Sequence, residues 1–303
     1  MPSPGRVFKD RRAMPRPEPG GALTSEADLP LGETLRRHWP EYAIEAGFLA
    51  VLLLCAGLAA AWSQATDGFP SDPVVRRGIA GIAVGLVLVA MIYSPWGRRS
   101  GTHLNPAITL AYWRLGKVGR WDFLFYLLAQ FAAGLVAVLL LRRGALLPAG
   151  LPRSLLSVSL GPSNAWTAIL TEFVLSATAM LLILFTSNHA SWFRWTGLVY
   201  GLLVMLVVAC AAPLAGFGMN VARLLAVDIT GAGTAVQWLN LVPPLLGMLL
   251  AVEAYRLLTG RPQVLCAKLA HNTHGRCIFR CQHPYQARAL AMEAIRRRAE
   301  RSD

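Results

Sequence analysis

Cys266, His271, His274, Cys277, Cys281 and His283 fall within 18 residues of one another. Thiolate and imidazole donors arranged as His-x2-His-x2-Cys followed by Cys-x3-Cys-x-His could supply the four ligands of a tetrahedral zinc ion. The spacing fits no standard finger, so an incidental Cys/His-rich tail is the competing reading. The other two cysteines, Cys55 and Cys210, lie inside apolar runs and read as small buried apolar side chains, giving no disulfide framework. Elsewhere the chain carries no phosphate-binding loop, no nucleophile–base constellation and no paired catalytic carboxylates, so enzymatic chemistry is not expected.

A different chemistry, the solvation of a passing oxygen atom, is suggested by Gly101-Thr102-His103-Leu104-Asn105-Pro106-Ala107 and Gly216-Phe217-Gly218-Met219-Asn220-Val221-Ala222-Arg223. Each segment places an Asn at the head of an apolar stretch too short to cross a bilayer. Such an Asn caps the free N–H groups of a helix start and leaves its amide NH2 to aim elsewhere. Two of these amides facing each other would hold the oxygen of a water or a hydroxyl, and the positive ends of both helix dipoles would converge there and oppose cations. Pro106 suits a first helical turn, where its missing N–H is no loss. Val221 retains an N–H and a less fixed φ. Arg223 stands three residues beyond Asn220, and a charge at membrane depth is a functional hypothesis by default.

The elements that must position these groups are hydrophobic spans. Hydrophobic residues make up 55% of the chain and charged residues 15%, with a mean hydropathy of +0.46; a soluble domain carries about 25% charge. Six apolar runs, Glu41–Trp62, Gly78–Ser94, Trp121–Leu141, Trp166–Ser187, Trp195–Pro213 and Trp238–Leu258, approach the ~20 residues that a helix needs to cross the hydrocarbon core. All nine tryptophans sit at or just outside their ends, as an interfacial belt does. The net charge of +13 is unevenly spread: with both termini on one side, 23 of the 29 Lys and Arg fall on that side. The positive-inside rule then makes both tails cytoplasmic, and the basic balance reads as topology and attraction to anionic headgroups rather than a nucleic-acid footprint.

Residues 1–38 are polar and rich in Pro and Gly, without a signal-peptide pattern, and read as a disordered cytoplasmic tail. Residues 39–141 and 166–258 form two halves of three spans each, joined by a linker at 142–165; residues 259–303 form a Cys/His-rich basic tail whose stretch Gln286–Arg301 reads as an amphipathic surface helix. The halves align: Glu45 with Glu172, Asn105 with Asn220, and Gln130 four before Gly134 with Pro243 four before Gly247. Three spans per half is odd, so the halves have opposite orientation and the short helices meet near the midplane. The fold class expected is an all-α membrane protein, six transmembrane helices plus two re-entrant half-helices in an inverted repeat.

The strings SGTHLNPAITLA, GFGMNVAR, YLLAQFAAG and WLNLVPPLLG, with the two early Glu residues, together resemble the major intrinsic protein family, the aquaporins and aquaglyceroporins, over roughly residues 39–258. The second motif departs, with Val221 where the family has Pro. The resemblance implies a passive channel for water or small neutral solutes such as glycerol, a homotetramer in the plasma (inner) membrane, and no cofactor for transport. It implies pore motifs at Asn105, Pro106, Ala107 and at Asn220, Val221, Ala222, and a constriction formed by Val84, Val208, Phe217 and Arg223. Two Val residues there predict a wide, apolar filter that admits polyols. Glu45 and Glu172 would brace the re-entrant loops, and His103 would anchor its own loop. The competing expectations are a coupled secondary transporter, for which Glu45 and Glu172 are the only candidate carriers, and a weakly conducting protein regulated by a metal-binding tail.

Overall fold

The computed structural model describes residues 26–63, 70–143, 165–189, 191–211, 219–230, 238–260, 264–271 and 276–282. The expected helix Gln286–Arg301, the positions Phe217, His274 and His283, and most of the linker fall outside the described residues. Within them every regular element is helical: α1 Leu31–Ser63, α2 Pro73–Tyr93, α3 Pro95–Ser100, α4 Pro106–Arg114, α5 Arg120–Arg142, α6 Ala165–Ser187, α7 Thr196–Leu206, α8 Val221–Ile229 and α9 Trp238–Leu258. Six of them are long and apolar enough to cross a membrane, α7 through its continuation to Ala211. Large apolar residues stand exposed along them, Leu86, Leu128, Leu170, Leu202 and Leu250 among them, as a lipid-facing surface requires.

The boundaries follow from local signals. Asp72 caps α2 by accepting from the Val74 N–H at 2.7 Å, with Pro73 in the first turn. At its far end α7 loosens into one π-helical turn, Val207–Ala211, just before the second Asn motif. α1 corrects one expectation. Residues 26–38, assigned to a disordered tail, form a 3-10 turn at Glu26–Asp28 and the opening turns of a 33-residue helix that runs through Pro40. Such a helix is about 50 Å long against a hydrocarbon core of about 30 Å, so its first turns stand outside the membrane. Hydropathy could not reveal them, because what holds them is polar: Thr34 Oγ1 donates to the Leu29 and Pro30 carbonyls, and His38 Nδ1 and the Tyr42 hydroxyl meet Asp122 of α5 at 2.7 and 2.6 Å.

The packing shows the repeat. α1 packs along α5 and α6 along α9, the first and third spans of each half. Each half-helix leans on the third span of the opposite half, α8 on α5 and α4 on α9, while α2 and α7 meet across the centre. Glycines set the separations. A Cβ built on Gly134 of α5 would lie 2.7 Å from the Ala222 carbonyl oxygen of α8, and one on Gly247 of α9 would lie 2.4 Å from the Phe173 carbonyl oxygen of α6. Any side chain there would push backbone apart.

Candidate functional site

The half-helices α4 and α8 begin at Asn105 and Asn220, as the sequence indicated. Asn105 has extended backbone, and its side-chain oxygen accepts from the Ala107 N–H at 3.0 Å. The Asn220 side-chain oxygen accepts from Ala222 N at 3.1 Å and Arg223 N at 3.4 Å. With the oxygens so engaged, the amide nitrogens point away from their own helices. Asn105 Nδ2 donates to the Met219 carbonyl at 2.8 Å, and Asn220 Nδ2 donates to the Leu104 carbonyl at 2.7 Å. An amide nitrogen carries two protons, so each NH2 has a second beyond this bond. Val221, buried, occupies the first turn of α8 without disturbing this cap, so its replacement of Pro leaves the half-helix intact.

The loop delivering Asn105 is held open against its own strain. Thr102 and Leu104 both have left-handed φ, +58° and +49°, next to Gly101 at +98°, a conformation that non-glycine residues hold only when their surroundings impose it. Glu45, fully buried on α1, imposes it by accepting from Ser100 Oγ (2.9 Å), His103 N (3.0 Å), Leu104 N (2.8 Å) and Gln130 Nε2 (3.2 Å). The Tyr126 hydroxyl adds a bond to the Ser100 carbonyl, and Gln130 Nε2 also donates to Thr109 of α4. His103 ties the loop at both ring nitrogens: Nδ1 meets Thr109 Oγ1 at 3.2 Å and Nε2 meets the Ala267 carbonyl at 2.7 Å.

Among the residues of the expected constriction, Val84 of α2 is buried and Val208, in the π-helical turn, is half-buried, both in the main core. Arg223 borders a small cavity with Leu53 and Gly57 of α1 and Val138 and Leu141 of α5, and Glu172 of α6 is its electrostatic neighbour. Glu253 and Arg256 pair at 3.2 Å, and Arg114 at the end of α4 joins them at 2.9 Å.

The tail is the site the sequence kept apart from the spans and the structure joins to them. Cys266, His271, Cys277 and Cys281 place one ligand atom each within 4.8 Å of all the others. Cys266 Sγ and Cys277 Sγ are 3.5 Å apart, and His271 Nε2 lies 3.1 Å from Cys281 Sγ. Tetrahedral zinc with bonds of about 2.3 Å sets its sulfurs about 3.8 Å apart, so the donor set fits with small shifts. Burial pushes the Cys266 thiol up, while hydrogen bonds from Cys266 and Cys281 hold Cys277 well below the usual thiol range. Two ammonium groups sit beside the sulfurs. Lys268, almost fully buried, donates to the Arg276 carbonyl at 2.8 Å; Lys117, also buried, donates to Gln282 Oε1 at 2.9 Å and feels Cys266 and Cys281. Three thiolates and a neutral imidazole around Zn²⁺ would carry one negative charge, which either ammonium would offset.

Residues 39–255 match the family described as Major intrinsic protein. The chain is 32% identical to Aquaporin NIP1-4 of Oryza sativa subsp. japonica over 220 residues, 70% of this chain and 75% of that protein. It is 30% identical to Aquaporin A of Dictyostelium discoideum over 70% and 75% of the two chains, and 28% identical to Aquaporin Z of Photorhabdus laumondii over 63% and 87%. In fold it is similar to the X-ray structure of the aquaglyceroporin from Plasmodium falciparum, with a TM-score of 0.59 at 20% identity, covering 72% of this chain and 95% of that one. Six spans, two Asn-capped half-helices and a match over most of its length make this chain a member of the major intrinsic protein family.

Proposed function

We propose that the chain is a passive transmembrane channel for water and small neutral solutes, glycerol among them. The observation that carries this reading is the reciprocal pair of amide bonds from Asn105 and Asn220, which leaves one N–H of each for a solute oxygen where two helix N-termini meet. Val84, Val208, Phe217 and Arg223 form the filter in this reading, with Glu172 bracing the second loop as Glu45 braces the first. The chain works as a homotetramer in the plasma (inner) membrane with both termini cytoplasmic. A coupled transporter is not favoured, because Glu45 accepts four hydrogen bonds and has no free position from which to carry a proton. The tail set Cys266, His271, Cys277 and Cys281 holds one structural zinc ion, and transport itself needs no cofactor.

Purified protein in proteoliposomes tests this, by stopped-flow swelling in water, glycerol and larger polyols with and without a proton gradient. Gradient-independent swelling is expected. Uptake that requires the gradient would overturn the channel in favour of the transporter. Metal analysis of protein purified without chelator should find about one zinc per chain, the content of a single four-ligand set; metal-free protein would overturn the tail reading.

A further inference from the structure

The tail does more than lie near the spans. Ala267 and Ile278 are fully buried, and Leu269 and Phe279 almost so, in the same core as the half-helices. The Ala267 carbonyl accepts from His103 Nε2, and Leu269 N donates to the Gly101 carbonyl at 3.2 Å. The Phe279 ring stacks on His103 (centroids 5.3 Å apart, planes at 20°) and meets the edge of Tyr126. On the opposite flank, Leu265 N donates to Asn188 Oδ1, just beyond the end of α6, at 2.7 Å. Arg280 N donates to the Lys117 carbonyl at 3.0 Å. Residues 264–271 and 276–282 therefore bridge from the first half's re-entrant loop to the second half's α6. That loop, Gly101–Leu104, leads from the face where Glu26 and Asp28 meet Arg276 and Arg280 down to Asn105. A segment laid across it stands over the approach to the paired amides.

The zinc ligands alternate with these contacts. Cys266 precedes Ala267, and Cys277 comes two before Phe279; Gln282 N closes the segment on itself by donating to the Leu265 carbonyl at 2.7 Å. Segments this short, with no helix or strand of their own, gain their shape from the cross-link. Ion pairs from Arg276 to Glu26 (2.8 Å) and from Arg280 to Asp28 (2.5 Å) add an outer latch on the residues before α1. These pairs are half-exposed and weak by comparison.

We propose that the zinc-bound residues 264–271 and 276–282 are a plug that closes the cytoplasmic mouth of the channel, and that loss of the metal opens it. This rests on the channel and zinc readings above. With zinc bound, the ion holds Ala267 and Phe279 in register against Gly101 and His103. Without it, the segment loses its cross-link and leaves the loop, whose hold from Glu45, Tyr126 and Gln130 is independent of the tail.

The test uses the full chain in proteoliposomes under a thiol reductant, loaded with zinc or treated with a membrane-permeant zinc chelator. Water permeability and bound zinc are measured together. Zinc removal should raise permeability several-fold. Cys277→Ser combined with Cys281→Ser should conduct at the raised level whether or not zinc is added. Phe279→Ala should keep its zinc yet conduct faster, because it loosens the seat and leaves the ligands in place. Wild-type protein that carries zinc and conducts equally in both states overturns the plug and leaves the metal site standing. Wild-type protein that binds no zinc overturns the metal site and the plug with it. Wild type and double Ser variant that both elute as native-sized protein and conduct in neither state overturn the channel reading instead.

Discussion

Asn105 and Asn220 each cap their own half-helix through the side-chain oxygen and grip the opposite loop through the nitrogen, at 2.8 Å to Met219 and 2.7 Å to Leu104. One side chain thus serves local and long-range structure at once, and the two jobs separate by substitution. Asn105→Asp keeps the acceptor for Ala107 N but loses the donor. It also sets a carboxylate against the Met219 carbonyl. Asn105→Ala loses both, at a cost of about 2 kcal/mol for a cap and a buried hydrogen bond. The Ala variant should therefore unfold at lower temperature in detergent than the Asp variant, while the Asp variant shows the larger loss of water flux per folded protein. Equal stability of the two would separate the cap from Asn105.

Glu45→Ala strands four buried donors, those of Ser100, His103, Leu104 and Gln130. Leaving such groups unpaired should cost on the order of 3–5 kcal/mol and release the strained loop. Glu45→Gln keeps one acceptor and should be milder. Thermal unfolding should rank the three proteins wild type, Gln, Ala. A Gln variant with native stability and abolished transport would point back to a carrier role for this carboxylate.

The spans and half-helices were legible because apolar length, tryptophan position and Asn-led short stretches are side-chain signals. The bracing role of Glu45 came from the family resemblance, carried by an acid inside a span. The acceptors of the central amides were not, since Met219 and Leu104 contribute only carbonyls, which every residue has. The seating of the tail was hidden likewise: it is made by the carbonyls of Gly101, Lys117 and Ala267 and the side chain of Asn188.

Val84 and Val208 set the width of the filter in the proposed reading. Val208→His, at a half-buried position in the π-helical turn, should narrow it and cut glycerol flux more than water flux. Adding Val84→Trp should sharpen the effect, although a Trp in that buried site overpacks the core by about 1–3 kcal/mol. Equal loss of water and glycerol fluxes in the single variant would remove Val208 from the solute path.

Arg223 follows the cap of α8 and has Glu172 as its electrostatic neighbour. Arg223→Ala removes the cation that the proposed reading sets against a permeating ion and leaves the Asn220 cap to Ala222 in place. Proton or cation leak, measured by dye quenching in proteoliposomes, should rise while water flux persists. Unchanged leak in a properly inserted variant would assign ion exclusion to the half-helix dipoles alone.

Gly134 carries the separation of α5 from α8. A methyl there would stand 2.7 Å from the Ala222 carbonyl oxygen and 3.0 Å from its carbon, both backbone atoms that cannot rotate away. Ala is the better helix former by about 1 kcal/mol, but forcing a methyl into a closed contact costs about 1–3 kcal/mol, so the clash wins. Gly78, in the first turns of α2, has nothing within 4 Å of the same position, and Gly78→Ala should hold or raise stability. Gly134→Ala should lower the unfolding temperature and, by pushing α8 away, lengthen the Asn220–Leu104 bond and reduce water flux. If both variants shifted stability in the same direction, helix propensity rather than the α5–α8 contact would govern this position.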